Sequence, residues 1–252
     1  MGAIKFAPTK NTWHLQVLLV YLLTESYNQK ELYLYHNYSE KYNILFVHIP
    51  KNAGNALISQ LDIKKSEHYP LSVLQKMMPK EIFDNAKKVA VLRNPWERMS
   101  SYYNYRQHKG HDPKDLRFTN WLRSGMLSIN MTPYDSLSQY HWCLSENTFR
   151  IWESMDYILN YENLNQDWWT FCSEENIPYQ ELPVVNKVNQ YDWRSNYTLQ
   201  DDIALVRNYF RADVTAFDFK FDKPNNINLM GKDNITENVS KYVINRTLVG
   251  DV

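Results

Sequence analysis

The chain has 252 residues with 44% hydrophobic and 22% charged side chains, which is the composition of a folded globular protein. The chain has 28 basic residues (Lys and Arg) and 28 acidic residues (Asp and Glu). This balanced charge excludes a general attraction to nucleic acid or to an anionic membrane. Any anion site must therefore be a local cluster. The two cysteines, Cys143 and Cys172, exclude a disulfide framework and lack metal-binding spacing, which favours reduced thiols and a cytoplasmic protein.

The first predicted element is a helix over 13–27. Its apolar stretch is shorter than the ~20 residues that span a bilayer. No small-residue cleavage site follows it, so we expect a packed helix and no membrane span. The almost wholly apolar run 44–49 then predicts a strand that is buried on both faces of a parallel sheet, and a helix is expected from Gly54 onward.

The remaining pattern alternates between strands and helices. In chain order we expect helices over 70–78 and 80–86, a buried strand over 87–93, helices over 94–107 and 115–124, a strand within 155–164 that leads into a helix through about 175, and a helix over 199–217. This alternation predicts an α/β fold with a central, mostly parallel sheet flanked by helices. Ligands of such folds bind beyond the carboxyl ends of the strands, where the loops 49–55 and 93–101 would lie side by side.

The first of these loops, in "IPKNAGNA", has the layout of a phosphate-binding loop. Backbone N–H groups at the start of a helix bind anions, Lys51 adds a full charge, and Gly54 permits a close approach of the backbone. Asn52 stands where triphosphate loops have the Ser or Thr that holds Mg²⁺, which favours an anion with less charge, such as a sulfuryl group. A surface lysine on an ordinary strand–helix turn stays an alternative for this loop alone.

The second loop, in "VLRNPWERMSSYY", supplies further groups that suit a phosphate. Arg93 at the strand end can make a bidentate contact, and the hydroxyl of Ser101 can donate to the same group. For Arg98 we expect a structural ion pair with the neighbouring Glu97. For Trp96 we expect a place in the core.

Together, "FVHIPKNAGNA" and "VLRNPWERMSSYY" resemble the two cofactor-binding motifs of the sulfotransferases that use 3′-phosphoadenosine 5′-phosphosulfate (PAPS). The match is to the branch that contains the carbohydrate sulfotransferases, including the heparan sulfate 2-O-sulfotransferases and their bacterial relatives. The likeness continues through "MDYILNYENLNQDW" and "LPVVNKVNQYDWRSNY" and covers about 42–222. It implies one sulfotransferase domain over 1–222, with a three-layer fold like that of the P-loop NTPases, and then a loosely ordered polar tail over 223–252.

The resemblance also implies a set of residues for the cofactor and no metal. The 5′-phosphosulfate would be held by the first loop, with Pro50, Lys51, Asn52, Ala53, Gly54, Asn55 and Ala56. The 3′-phosphate would be held by Arg93 and Ser101 of the second loop. A later loop, with Lys187, would close over the cofactor. For Lys187, solvated surface charge is the alternative. The family commonly has hydroxyl residues where this chain has Asn52, Asn55 and Ala56, and the two side-chain amides could partly substitute as donors.

Sulfuryl transfer also needs a base for the proton of the acceptor, and imidazole binds and releases a proton near neutral pH. The family often has a histidine between the two motifs, where this chain has His68, although that residue could instead cap the following helix. Lys51 would be the second catalytic residue, because it balances charge as the bridging oxygen leaves. We expect His48 in the core, and solvent-exposed positions for His108, His111 and His141.

The predicted function is the transfer of a sulfuryl group from PAPS to a hydroxyl, or an amine, of a saccharide or small-molecule acceptor, with release of 3′,5′-ADP. The aromatic segment 102–145 would form the acceptor pocket, with Tyr102, Tyr105 and Tyr140 as candidates, because tyrosine faces suit sugar rings. Three alternatives stay open: a metal-dependent kinase with a degenerate loop, a non-catalytic nucleotide-binding protein, and an interaction protein on the same scaffold.

Overall fold

The computed structural model describes residues 35–124, 137–146, 148–183, 192–223 and 230–231. Within them the protein is an α/β fold built on an open, mostly parallel sheet. The helix predicted over 13–27 and the predicted phosphate ligand Lys187 lie outside these residues. Among the helices of the described part, none combines the length and the apolar character that crossing a bilayer requires.

The described strands lie side by side in chain order and form one five-stranded sheet: β1 (Tyr38–Ser39), β2 (Ile44–Val47), β3 (Lys87–Leu92), β4 (Tyr157–Asn160) and β5 (Met230–Gly231). The three central strands run parallel, and β1 and β5 pair antiparallel at the two edges. All of β2 and the last four residues of β3 are buried, which is typical of parallel strands covered on both faces. The carboxyl ends of β2, β3 and β4 therefore meet at one edge of the sheet.

Ten α-helices accompany the strands in the described residues: α1 (Gly54–Gln60), α2 (Leu71–Met77), α3 (Lys80–Asn85), α4 (Pro95–Lys109), α5 (Phe118–Arg123), α6 (Gln139–Trp142), α7 (Ile151–Ser154), α8 (Leu164–Glu174), α9 (Gln200–Tyr209) and α10 (Arg211–Ala216). The longest of them, α4, begins directly after β3, where the Asn94 side chain accepts the N–H of Trp96 at 3.1 Å. Proline at its first position is pre-organised for a helix start. The sequence therefore fixes where this helix begins relative to the sheet edge.

Alternate side chains of the central strands divide the core between the two faces of the sheet. On one face, Phe46 belongs to a cluster with Leu57 of α1 and Trp168 of α8. On the other face, Val47 belongs to a cluster that includes Trp96 of α4. Burying each such side chain stabilises the fold by ~1.5–3 kcal/mol, so helices are held on both faces and the loops at the strand ends start from a rigid base.

Three features differ from the sequence prediction or add to it. The helix expected over 199–217 is two helices, because Phe210 leaves the helical conformation (φ −99°, ψ 36°) and buries its ring in the core. Strand β1 was not predicted, since two residues give no periodicity. Within the segment predicted as a loose tail, Met230–Gly231 pairs with β4. Cys143 and Cys172 are both buried and free of disulfides.

Candidate functional site

The loops that follow β2 and β3 lie side by side, as the order of the strands predicts. Arg93 Nη1 donates to the carbonyl oxygen of Lys51 at 2.8 Å, and Arg98 Nε donates to the carbonyl oxygen of Pro50 at 3.1 Å. The second motif therefore holds two successive carbonyl groups of the first motif. This arrangement brings the cationic side chains of Lys51 and Arg93 to the same edge of the sheet.

The predicted ion pair between Arg98 and Glu97 is wrong. Adjacent residues of a helix do not face each other, whereas residues four apart do. Glu97 pairs with Arg93, with Oε1 2.8 Å from Nη2 and with side chains that are only 14% and 10% exposed. Arg98 is fully buried and points to the first loop, so it supports the loop and is not open to a ligand. Trp96 lies in the core, as predicted.

Arg93 also lies over an aromatic ring from the third strand end. Its guanidinium carbon is 3.9 Å from the ring centroid of Tyr161, the residue that follows β4. A cation at this distance over an aromatic face is attracted to the ring, and Arg makes such contacts more often than Lys. The Nε atom of Arg93 is buried and has no hydrogen-bond partner among the described residues. A buried polar atom of this kind needs an explanation, and a bound anion would supply its missing acceptor.

Lys51 is the second cation of this edge and is half-buried. Its Nζ lies 4.2 Å from the ring centroid of Tyr105, and none of the salt bridges of the described residues includes it. Burial and, next, the charge of Arg93 lower the pKa of Lys51 to about 8. An anion bound beside Lys51 would offset both effects.

Binding of an anion at Lys51 is expected to weaken above pH 8. With its pKa lowered to about 8, Lys51 of the free protein loses its positive charge as the pH rises through that value. Above that pH, a ligand that prefers the charged lysine must bind together with a proton. The affinity therefore falls by at most about tenfold per pH unit. Calorimetry with 3′,5′-ADP from about pH 7 to about pH 9.5 measures this dependence, since phosphate itself titrates near pH 6.

Lys51→Arg is the matched control for this pH dependence. Arginine stays charged throughout the range. The affinity of this variant for 3′,5′-ADP should therefore not change with pH, whereas that of the wild type falls. A wild-type affinity that does not change between these pH values contradicts the assignment of Lys51 to the anion site.

The backbone of the first loop offers donors to the same edge. Lys51 and Ala53 both have left-handed backbone angles, with φ of 70° and 59°. Non-glycine residues in this region cost of order 1–3 kcal/mol each and are concentrated in ligand-binding loops. The N–H groups of Ala53, Gly54 and Asn55 have no backbone acceptor among the described residues. These donors complement the two cations.

Gly54 is where the loop approaches the imidazole of His48. A Cβ at this position would overlap the Cδ2 and Nε2 atoms of that ring. His48 is buried, as predicted, and its Nδ1 is 2.8 Å from Ser66 Oγ. Burial and the nearby His68 lower the pKa of His48 to about 3, which keeps it neutral. Glycine is therefore needed here because a side chain has no room.

Gly54→Ala is expected to lower the free energy of unfolding by about 1–3 kcal/mol, the range for overpacking a dense site. The added methyl group must displace His48 or the loop. Urea denaturation measures the change. The exposed neighbour supplies a control, since Asn55→Ala should change stability by less than about 0.5 kcal/mol. Equal stability of Gly54→Ala and the wild type would show that the ring and the loop are not closely packed.

Asn52 cannot act as the phosphate donor that was expected of it. Its side-chain nitrogen donates to the carbonyl oxygen of Val91 at 2.7 Å and to Gln139 Oε1 at 2.6 Å, and the residue is 1% exposed. Asn55 is exposed, so its amide stays open to a ligand, while Ala56 is buried. Asn52 therefore ties the first loop to the end of β3. It does so at the position where the resemblance leads us to expect a hydroxyl residue.

His68 is held in place by the residue that follows β2. Its Nδ1 lies 2.8 Å from the carbonyl oxygen of His48, and the two rings are 4.1 Å apart between centroids. A carbonyl oxygen only accepts, so Nδ1 carries the hydrogen and the Nε2 of the neutral ring carries the lone pair. The bond runs from His68 back to the residue after β2 and not to the following helix, where α2 has no side-chain cap. His68 is half-buried beside the first loop.

Ser101 lies on the face of α4 that borders both cations. Glu97, Ser101 and Tyr105 are spaced four apart and share one helical face. Glu97 contacts Arg93 and Tyr105 contacts Lys51. The position of Ser101 between them agrees with a hydroxyl donor to a ligand at this edge.

The three candidate acceptor-binding tyrosines are in different environments. Tyr102 is buried and stacks on Trp121, with ring centroids 6.4 Å apart. Tyr140 donates its hydroxyl to the carbonyl oxygen of Phe149 at 2.6 Å. Tyr105 is 41% exposed beside Lys51 and is the one whose ring is open to an acceptor next to the anion site.

The other three histidines considered from the sequence differ in their exposure to solvent. His108 and His111 are exposed, as expected. His141 is buried, and the expectation of an exposed position is wrong for it. Its Nδ1 pairs with Ser138 Oγ, and burial lowers its pKa to about 4. It therefore stays neutral and serves the packing of α6.

Two buried polar residues beside the site were not identified from the sequence. Gln139 lies between the two loops, and Asp213 accepts the backbone N–H groups of Gln139 and Tyr140. Burial raises the pKa of Asp213 to about 6 in spite of these hydrogen bonds. The one available signal was that Asp213 shares a helical face with Phe210 and Phe217, which places a carboxylate on an apolar surface.

Comparison with protein-family models, with curated proteins and with solved structures finds no match to this chain. Among the described residues, no group of three His, Cys, Asp or Glu side chains could hold a metal ion.

Proposed function

We propose that this protein is a PAPS-dependent sulfotransferase that transfers a sulfuryl group to a hydroxyl, or an amine, of a saccharide or small-molecule acceptor and releases 3′,5′-ADP. The observation that carries the proposal is the contact between the two motifs, in which Arg93 Nη1 donates to the Lys51 carbonyl at 2.8 Å. It joins the two loops that the resemblance assigns to the two anionic ends of this cofactor. A P-loop-like three-layer architecture is part of the same proposal.

The residues present fit such a cofactor. Lys51 and the free amides of the first loop would hold the phosphosulfate, and Arg93 with Ser101 would hold the 3′-phosphate. The buried Nε of Arg93, for which the described residues supply no acceptor, supports this fit. PAPS supplies an activated sulfuryl group. As the bond from sulfur to the bridging phosphate oxygen breaks, Lys51 would balance the negative charge that develops there.

His68 would take the proton of the acceptor. The hydrogen bond from its Nδ1 to the His48 carbonyl fixes the ring and leaves Nε2 as the proton acceptor. As the acceptor oxygen bonds to sulfur, its proton would move to Nε2. The exposed face of Tyr105 next to Lys51 would support a saccharide ring or another flat acceptor. A cytoplasmic location and a metal-independent reaction remain predictions.

A transfer assay with labelled PAPS tests the proposal. The acceptor panel should contain neutral and anionic oligosaccharides, phenols, aliphatic alcohols and amines. We expect label in at least one acceptor and an equal amount of 3′,5′-ADP. Binding of 3′,5′-ADP without transfer to any acceptor supports a non-catalytic nucleotide-binding protein instead. Phosphate transfer from ATP that requires Mg²⁺ supports the kinase alternative.

A further inference from the structure

The side-chain amide of Gln139 lies fully buried between the two loops. Its Oε1 accepts the backbone N–H of Arg93 at 2.9 Å and the side-chain amide of Asn52 at 2.6 Å. Its Nε2 donates to the carbonyl oxygen of Arg93 at 2.8 Å. Gln139 thus pairs with both backbone groups of Arg93, as a neighbouring strand would, while it also contacts the loop that carries Lys51.

Asp213 anchors this amide from the other side. Its Oδ2 accepts the Gln139 backbone N–H at 2.9 Å and the Nε2 of the same residue at 3.3 Å. Its Oδ1 accepts the N–H of Tyr140 at 2.7 Å. Asp213 is fully buried, so the carboxylate cannot exchange these donors for water. The amide of Gln139 therefore has little freedom to rotate or shift.

We infer that Gln139, held by Asp213, is a positioning residue that sets the spacing between Lys51 and Arg93. This inference rests on the proposed function, because it assigns these two cations to one anionic ligand. Each hydrogen-bonding position of the Gln139 amide is used, and three of its four partners belong to Arg93 and Asn52. Among the described residues, Asn52 also links the first loop to β3 through the Val91 carbonyl, and the remaining links pass through the long side chains of Arg93 and Arg98. A short, buried amide is the more rigid connection.

Gln139→Leu tests this role, because leucine fills a similar volume without the amide. Removal leaves the backbone groups of Arg93 without this partner and leaves the Asn52 amide with its bond to the Val91 carbonyl, so the two loops can shift relative to each other. We expect the preference for 3′,5′-ADP over 5′-AMP, measured as the ratio of their dissociation constants, to fall about tenfold or more. Gln139→Asn keeps an amide with both a donor and an acceptor but draws it back from Arg93 by one methylene group. It should give a smaller loss, and it carries the test if the leucine variant fails to fold.

Asp112→Asn is the matched control, because it should lower stability without changing the contact between the two loops. It breaks the buried ion pair between Arg106 and Asp112 at the far end of α4. It should lower the melting temperature while the ratio of dissociation constants stays within about twofold of the wild-type value. If Gln139→Leu also lowers stability but keeps the ratio, Gln139 only supports the fold and the inference is overturned.

A second probe separates this inference from the proposed function. If the wild type shows no preference for 3′,5′-ADP, the proposed function fails. The spacing of Lys51 and Arg93 is then judged with inorganic pyrophosphate, which needs the two cations and no adenosine. A dissociation constant for pyrophosphate that rises about tenfold in Gln139→Leu supports the positioning role, and an unchanged one overturns it.

Discussion

Lys51→Ala should lower the rate of sulfuryl transfer by about 10²-fold or more, the scale for removing a preorganised electrostatic contact. The lysine lies half-buried beside Arg93 and over Tyr105, where burial strengthens its interaction with a developing charge. The alanine variant leaves Arg93 as the one cation of this pair. The measurement is kcat with labelled PAPS and the best acceptor of the panel.

Two variants give the Lys51 experiment its controls. Lys51→Arg keeps the charge and should retain more activity than the alanine variant. Lys64→Ala removes an exposed lysine outside the two loops and should keep near-normal turnover. Near-normal sulfation by Lys51→Ala contradicts the role of this residue in balancing the charge of the leaving group.

His68→Asn is expected to lower kcat by about 10²-fold or more, within the range for losing a general base. An asparagine side chain can still donate its amide hydrogen to the His48 carbonyl, so the local hydrogen bond survives. The basic Nε2 is lost. Affinity for 3′,5′-ADP should stay within about twofold of the wild-type value, because the proton acceptor is not part of the anion site.

The alternative role of His68 gives a different result. If it served only to hold the segment after α1, His68→Asn would retain activity and His68→Ala would lose stability. A full rate in the asparagine variant therefore contradicts the assignment of His68 as the base. A pH profile that loses its lower limb in His68→Asn would support the assignment.

The three parallel strands, and the edge at which their carboxyl ends meet, could be predicted from the sequence. The apolar runs 44–49 and 87–93 contain β2 and β3, and the expected strand within 155–164 contains β4. Such runs are a strong signal because strands covered on both faces need apolar residues throughout. The break at Phe210 could not be predicted, since the helical periodicity continues across it and tertiary packing of one ring decides the backbone angle.

The sequence predicted which charged residues lie at the candidate site, but not most of the contacts that hold them there. The sequence indicated that Lys51 and Arg93 would meet, because both follow parallel strands. The four-residue spacing of Arg93 and Glu97 was a signal for their ion pair, but the sequence could not show that Asn52 faces inward or that Gln139 joins the two loops. These contacts depend on side-chain directions and on residues up to 87 positions apart, for which a single sequence has no periodic signal.

Calorimetric titration of the wild-type protein with 3′,5′-ADP and with 5′-AMP tests the central claim most directly. The two ligands differ in the 3′-phosphate, the group assigned to Arg93 and Ser101. We expect tighter binding of 3′,5′-ADP by about 10-fold or more, as one charge-assisted hydrogen bond of about 1.5–3 kcal/mol provides. Equal affinities, or no binding of either nucleotide, would contradict the assignment of this edge of the sheet to PAPS.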